Sequence, residues 1–295
     1  MSKKILVIGS INKDLVVRAS RFPKEGETIL GRNFNTGNGG KGANQASAIA
    51  KLGGNVSILG AVGDDAFGKD LSDSLYSNNV DISNLLIKKN VSTGIAFITV
   101  ADNGDNNIIV VQGANSHINK DDINEELLKQ YDIIVMQLEI PLEIAKYAAC
   151  ISKKLNKTVV LNPSPAVNLD KEFLSYVDIL IPNEMEIDII GSIEYIFECG
   201  VKSIILTLGA KGCDFIKKDN NTIIRKHFDA YNVDVIDTTA AGDSFLGGLV
   251  RMLADDRDID EAVSFAIKVS NITVTRKGAV DSIPSYDEVI NNKWQ

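Results

Sequence analysis

Ile133-Ile134-Val135-Met136 is a continuous apolar run, residues 142–155 follow it as an amphipathic helix candidate, and Val159-Val160-Leu161 resumes the apolar run. Runs this short and this apolar suit strands covered on both faces, as parallel strands are. The pattern extends in both directions. Ile5–Ile8 and Val56–Leu59 precede it, and runs at 179–181 and 204–208 follow it. Residues 43–52 and 193–199 read as further amphipathic helices. Strand alternating with helix predicts an α/β fold on a mostly parallel sheet.

Two regions break the alternation. Residues 13–38 carry Thr28-Ile29-Leu30 and Asn33-Phe34-Asn35 between Gly26, Gly31 and Gly37. Residues 93–112 carry β-like runs at 93–100 and 108–111 around Ala101-Asp102-Asn103-Gly104-Asp105, and Asn-Gly between apolar strands is a hairpin signal. A few antiparallel strands make no independent core. Both regions are therefore expected to form a small sheet over one edge of a single domain spanning 1–295.

Composition narrows the function. Hydrophobic residues make up 44% and charged residues 24%, ordinary for a globular chain. The net charge of −8 is opposite in sign to that of a general nucleic-acid binder. An anionic ligand then needs a local device, such as a helix N-terminus or a bound cation. Cys150, Cys199 and Cys213 are odd in number and lack CxxC spacing, which points to free thiols in a reducing compartment. His117 and His227 are too few for a His-rich metal site. Ile5–Ile8 is too short for a signal peptide, and no stretch approaches the ~18 apolar residues of a membrane span. The expected location is the cytoplasm.

Three segments carry chemistry. Asp237-Thr238-Thr239-Ala240-Ala241-Gly242-Asp243 precedes the apolar run Phe245-Leu246-Gly247-Gly248-Leu249-Val250. Small residues opening a helix leave its first N–H groups free for an anion, with Asp243 beside it. The plainer alternative is that Asp243 merely caps the helix. Gly37-Asn38-Gly39-Gly40-Lys41-Gly42-Ala43-Asn44-Gln45 contains a formal G-x-G-x-x-G, with Asp64 at about the expected ~20-residue distance. It does not occupy the first strand-to-helix turn, where a dinucleotide fingerprint belongs. It is no Walker loop either, because Gly42 follows Lys41. A backbone-lined pocket fits better, with Lys41 and Asn44 as hydrogen-bonding groups. Asn12-Lys13-Asp14 offers donors and acceptors suited to vicinal hydroxyls, although Asn and Asp after a strand are commonly turn formers. Glu139 is a strand-end carboxylate, on the side where open α/β sheets bind ligands.

Together with Gly9-Ser10-Ile11-Asn12, Gly63-Asp64-Asp65, Met136-Gln137-Leu138-Glu139, Asn162-Pro163, Pro182-Asn183-Glu184, Thr207-Leu208-Gly209 and Thr275-Arg276-Lys277-Gly278-Ala279, these segments resemble the ribokinase, or PfkB-type, carbohydrate kinase family, bacterial ribokinases in particular. The resemblance runs nearly end to end. It implies a three-layer α/β/α fold with a small β lid over the sugar, often used to make a homodimer. It implies ATP-dependent phosphorylation of D-ribose at the 5-hydroxyl. Asn12, Asp14, Gly40, Lys41, Gly42, Asn44 and Glu139 would bind the sugar. Asp243 would be the base and would also touch the sugar, with the backbone from Ala240 through Ala241 and Gly242 to Asp243 as anion hole and Gly242 also contacting the nucleotide. Asn183 would contact the nucleotide, and Glu186 would help organise Mg2+ and phosphate. Thr207, Leu208, Gly209, Ala210, Lys211 and Gly212 would line the adenine nucleotide. A monovalent cation, K+, would sit by Asp237, Thr239, Thr273, Arg276, Gly278 and Ser282.

The chain departs from the family pattern in two places. The 183–204 segment is short, and Ile267, with Lys268 and Asn271 nearby, stands where a polar residue often touches the nucleotide. The same chemistry on deoxyribose, another sugar or a nucleoside is a close alternative. A non-catalytic sugar-binding regulator is a rival from another class, against which Asp243 and its small-residue run argue. A dinucleotide-dependent dehydrogenase is more distant.

Overall fold

The strand Ile5–Ile8 explains the layering of the molecule. All four of its side chains are buried, and successive side chains of a strand point to opposite faces. Leu6 and Ile8 join an apolar cluster with Ile134, Met136, Val159 and Leu161, whereas Ile5 and Val7 join another with Ile133, Val135 and Val160. The helix Leu142–Lys154 covers the first face through Ile144, Ala145 and Ala148. Lys41–Lys51, Ala241–Ala254 and Ile259–Val274 cover the second through Ile49, Leu249 and Val263. The result is a three-layer α/β/α sandwich. Burial of each such Leu, Ile or Val side chain is worth about 1.5–3 kcal/mol over exposure. The computed structural model describes residues 2–220, 222–292 and 294.

The central sheet has eight strands in the order Thr222–Phe228, Cys213–Asp219, Ser203–Thr207, Ile179–Leu180, Thr158–Leu161, Ile133–Met136, Ile5–Ile8, Val56–Leu59. Pairing is parallel from Ser203–Thr207 to Val56–Leu59 and antiparallel through Cys213–Asp219 and Thr222–Phe228. The six apolar runs of the sequence are the six parallel strands, to within a residue at most ends. The antiparallel edge pair is an addition. Its strand Thr222–Phe228 is mostly exposed, so it carries no continuous apolar run.

A second sheet of four strands runs Asn33–Gly39, Asn12–Arg18, Gly94–Val100, Asn106–Val111. The two irregular regions of the sequence thus meet in one sheet. The Asn103-Gly104 turn is formed, with the Ala101 amide donating to the Asp105 carbonyl at 2.9 Å. The sheet's central pair, Asn12–Arg18 with Gly94–Val100, is parallel rather than antiparallel as expected, and two local details differ as well. Thr28-Ile29-Leu30 lies outside any strand, and Asn12-Lys13-Asp14 begins a strand rather than a turn. The antiparallel partner Asn33–Gly39 accounts for the second of these details, since Asn12 pairs with Gly39 and Asp14 with Gly37.

Two helices that start at the same end of the central sheet are held unusually close. A Cβ on Gly247 would stand 2.4 Å from the Cβ of Ala48, so glycine there lets Ala241–Ala254 lie directly against Lys41–Lys51. This contact brings Asp243 beside Asn44 and Gln45. Among the described residues no helix is long and apolar enough to cross a membrane.

Candidate active site

Asp243 is the third residue of Ala241–Ala254, and it does not cap the helix. The position before the helix is Ala240, in the left-handed conformation (φ 59°) and without a side-chain cap. The carboxylate turns instead to the neighbouring helix. Its Oδ2 accepts from Asn44 Nδ2 and its Oδ1 from Gln45 Nε2, both at 2.9 Å. The Ala241 amide donates to the Thr238 carbonyl at 3.2 Å and that of Ser244 to Ala240 at 2.8 Å. The Gly242 and Asp243 amides have no acceptor among the described residues. The capping alternative therefore gives way to a buried carboxylate beside free amides at the positive end of a helix.

The sugar-side residues converge on the same place. The helix Lys41–Lys51 starts two residues earlier than the apolar pattern suggested and has Gly40 before it with no side-chain cap. Glu139 takes that role from outside: its Oε2 accepts from the Lys41 amide at 3.1 Å and from the Ser10 hydroxyl. The Lys41 ammonium is largely buried, which opposes its charge, but Asp243, Glu139 and Glu186 outweigh burial and raise its pKa. Asn12 is buried, and its Oδ1 accepts from Asn115 Nδ2 at 2.8 Å. Asp14 shares this corner with Glu139. Burial first, and the Glu139 charge second, push its carboxyl up to about 6 against the pull of Lys13. Asn44 Oδ1 is buried and has no hydrogen-bond donor among the described residues. Such an orphan costs roughly 1–3 kcal/mol, and a ligand hydroxyl would satisfy it.

Gly42 is where this corner is tightest. An added Cβ would stand 2.6 Å from the Gly9 carbonyl carbon and 2.7 Å from the Ser10 amide nitrogen. Both contacts are backbone and cannot swing aside. Gly42→Ala is expected to cost about 1–3 kcal/mol by overpacking, read as a lower midpoint in urea or thermal melts. An unchanged midpoint would contradict this packing.

A cleft of about 380 Å³ opens on the other side of the Asp243 helix start, lined by Asn183, Thr207, Gly209, Gly212, Ala241 and Gly242 among others. Of the expected nucleotide residues, Leu208, Ala210, Lys211 and Glu186 are not in its wall. Glu186 is buried, and it exchanges hydrogen bonds with Asn183 in a capping box, each at 2.8 Å. Ile267 and Asn271 line the cleft, joined by Met185, Ala230, Phe245 and Ser270, which the sequence did not single out. Lys268 is turned away, over the Trp294 ring.

The expected cation loop is knit together by Asp237. Its Oδ1 accepts from the Thr239 amide (2.9 Å) and hydroxyl (2.6 Å), and its Oδ2 from the Gly278 amide (3.0 Å). Burial opposes the charge, but these hydrogen bonds hold the carboxyl below its ordinary value. The Thr273 and Ser282 hydroxyls donate to the carbonyls of Val269 and Ala279. The Arg276 guanidinium pairs with Glu288 at 2.7 Å, and its amide donates to the Thr273 carbonyl.

Sequence reasoning missed several polar groups that support the site: the buried Ser10, Gln45, Asn115 and Gln137 and the half-buried Asn162. The available signal was an amide or hydroxyl set among apolar or small residues, as in Met136-Gln137-Leu138.

Known proteins align with this arrangement along nearly the whole chain. Residues 2–286 match the model of the pfkB family carbohydrate kinases. The ribokinase of Haemophilus influenzae is 40% identical over 304 residues, covering 98% of each chain. The deoxyribokinase of Salmonella typhi is 35% identical over 299 residues, covering 96% of each. The structure of Arabidopsis thaliana ribokinase complexed with ribose and ATP superposes with a TM-score of 0.89 at 31% identity, covering 98% of each chain.

Proposed function

Because the chain belongs to the pfkB family of carbohydrate kinases, we infer that it transfers the γ-phosphoryl group of ATP to the 5-hydroxyl of D-ribose, giving ribose 5-phosphate and ADP. The observation that carries the reading is the buried Asp243 carboxylate, hydrogen-bonded to Asn44 on one side and adjoining the Gly242-lined cleft on the other. The similarity to the Haemophilus and Arabidopsis ribokinases favours ribose. The deoxyribokinase relative supports deoxyribose as a second reading.

In this account Asn12, Asp14, Lys41, Asn44 and Glu139, with the backbone of Gly40 and Gly42, hold the sugar. The nucleotide lies in the cleft along Asn183, Thr207, Gly209 and Gly212. Asp243 orients the sugar hydroxyl toward the γ-phosphorus. A carboxylate is a weak base toward an alcohol, so it accepts the proton late, as the new P–O bond forms and the bond to the ADP oxygen breaks. Phosphoryl transfer is mostly positioning and charge stabilisation. The Gly242 and Asp243 amides face the developing charge, and one such donor is worth about 3–4 kcal/mol in other enzymes. The four-stranded sheet, with segments 13–38 and 93–112, acts as a lid that excludes water. It also bears the exposed side chains Ile108, Ile109, Val110 and Val111, an apolar strip that suits a homodimer contact. Three free thiols suit the cytoplasm.

Mg2+ fits the nucleotide side. Among the described residues no cluster of three or more His, Cys, Asp or Glu surrounds a point, and Mg2+ characteristically uses one or two carboxylates with substrate phosphates and water. Glu186, with one oxygen outside its capping box, would be that carboxylate, and the ion would offset charge on the phosphates. K+ fits the Asp237 loop, whose donors are oxygens with a single carboxylate. Asp237→Ala is expected to lower turnover in potassium buffer toward its value in sodium buffer. An unchanged potassium response would remove the cation site.

The test of the reading is ADP release from MgATP with ribose, 2-deoxyribose, other sugars and nucleosides in parallel. Ribose is expected to give the highest kcat/KM. Preference for 2-deoxyribose would keep the chemistry and change the substrate. No turnover from a folded protein that still binds sugar would favour a non-catalytic regulator.

A further inference from the structure

The hydrogen bonds on Asp243 continue inward. Gln45 Nε2, which donates to Asp243 Oδ1 at 2.9 Å, also reaches Asn162 Oδ1 at 3.4 Å. Gln45 Oε1 accepts from Gln137 Nε2 at 2.6 Å. Gln45 and Gln137 are 0% and 1% exposed. The chain ends at Gln137 Oε1, buried and without a donor among the described residues, in space that a Cβ on Gly9 would invade at 2.0 Å.

We propose that Gln45, oriented by Gln137, is a positioning residue that fixes the plane of the Asp243 carboxylate; this rests on the reading of Asp243 as base. The direction of the chain follows from charge. An ionised carboxylate is acceptor-only, so Gln45 must present its NH2 to it. Its carbonyl then faces Gln137, which must in turn present NH2. The unpaired acceptor falls at the far end, away from the base. Reversing both amides would set the Gln45 carbonyl against the carboxylate. The polarity is therefore one-way, and the carboxylate that imposes it is held in return. Gln45 lies on the helix that carries Lys41 and Asn44, and Gln137 lies two residues before Glu139. One buried chain thus ties the base to the elements that hold the sugar. Misplacing a reacting group by about 1 Å can cost ~10²-fold in rate.

The experiment measures kcat and KM for ribose in Gln45→Leu, Gln137→Leu, Asp243→Asn and the Gln45→Leu/Asp243→Asn double variant. Gln45→Leu is expected to lose about 10- to 100-fold in kcat with KM for ribose little changed, and Gln137→Leu to lose less. In the Asp243→Asn background Gln45→Leu is expected to add almost nothing, because residues acting as a unit are non-additive. Full turnover in Gln45→Leu, or an equal further loss in the double variant, would overturn the proposal. So would a rise in KM with kcat unchanged, which would mark a sugar-pocket role. Should Gln45→Leu not fold, Gln137→Leu decides alone: wild-type kcat there overturns the relay, and a kcat loss at constant KM supports it. An inactive Asp243→Asn beside a fully active Gln45→Leu removes only the positioning role. A fully active Asp243→Asn removes the base assignment itself.

Discussion

Asp243→Asn is expected to fold, to bind ribose within about threefold of the unsubstituted affinity, and to lose about 10²- to 10⁴-fold in kcat, the usual share of a general base. The substitution keeps the shape of the side chain and one acceptor. Asn44 and Gln45 both donate to this residue, so a carboxamide satisfies one of them and sets its own NH2 against the other. The hydroxyl still approaches, but nothing takes its proton as the P–O bond forms. Steady-state kinetics beside calorimetric sugar binding separates the two effects. Turnover within a few-fold of normal would contradict the role of Asp243.

Asp14→Asn is expected to weaken ribose binding about 10- to 100-fold, by loss of a charge-assisted hydrogen bond, while making the empty protein more stable at neutral pH. The reason lies in the Asp14 carboxyl, pushed from 3.8 up to about 6 by burial and by Glu139. A raised acid pKa means that the folded state prefers the protonated form. The ionised carboxylate therefore costs stability: nothing below about pH 4, progressively more as the pH rises toward 6, and the full amount above it. A gap of this size corresponds to at most about 3 kcal/mol. The stabilisation by Asp14→Asn should be complete at pH 7 to 8 and vanish as the pH falls toward 4. Thermal melts across that range, with and without ribose, measure both parts. A variant less stable than the parent at pH 7 would contradict the account of this corner.

What the sequence made legible follows from where each signal resides. The six parallel strands could be read because burial on both faces makes them continuous apolar runs, as in Ile133–Met136. The antiparallel edge strand Thr222–Phe228 could not, since most of its side chains meet water. Asn12 and Asp14 had the right chemistry for sugar hydroxyls, but their strand is set by pairing with Asn33–Gly39, a contact between distant segments. Asp243 was legible through the small residues before it. Its hydrogen bonds from Asn44 and Gln45 were not, because they come from a second helix docked at Gly247. The capping box between Asn183 and Glu186 has a local signature, yet it competes with the nucleotide and metal roles implied for the same two residues. Buried amides such as Asn115 and Gln137 show in one sequence only as an amide among apolar or small residues, and their partners, about a hundred residues away, do not show at all.

Phosphoryl transfer to ribose is read directly by incubating the protein with MgATP and ribose and following the products by phosphorus and carbon NMR. Stoichiometric ADP is expected, with a single sugar phosphate whose phosphorus couples to carbon 5 of ribose. Phosphate on another ribose carbon, or ADP formed without a sugar phosphate, would contradict this reading.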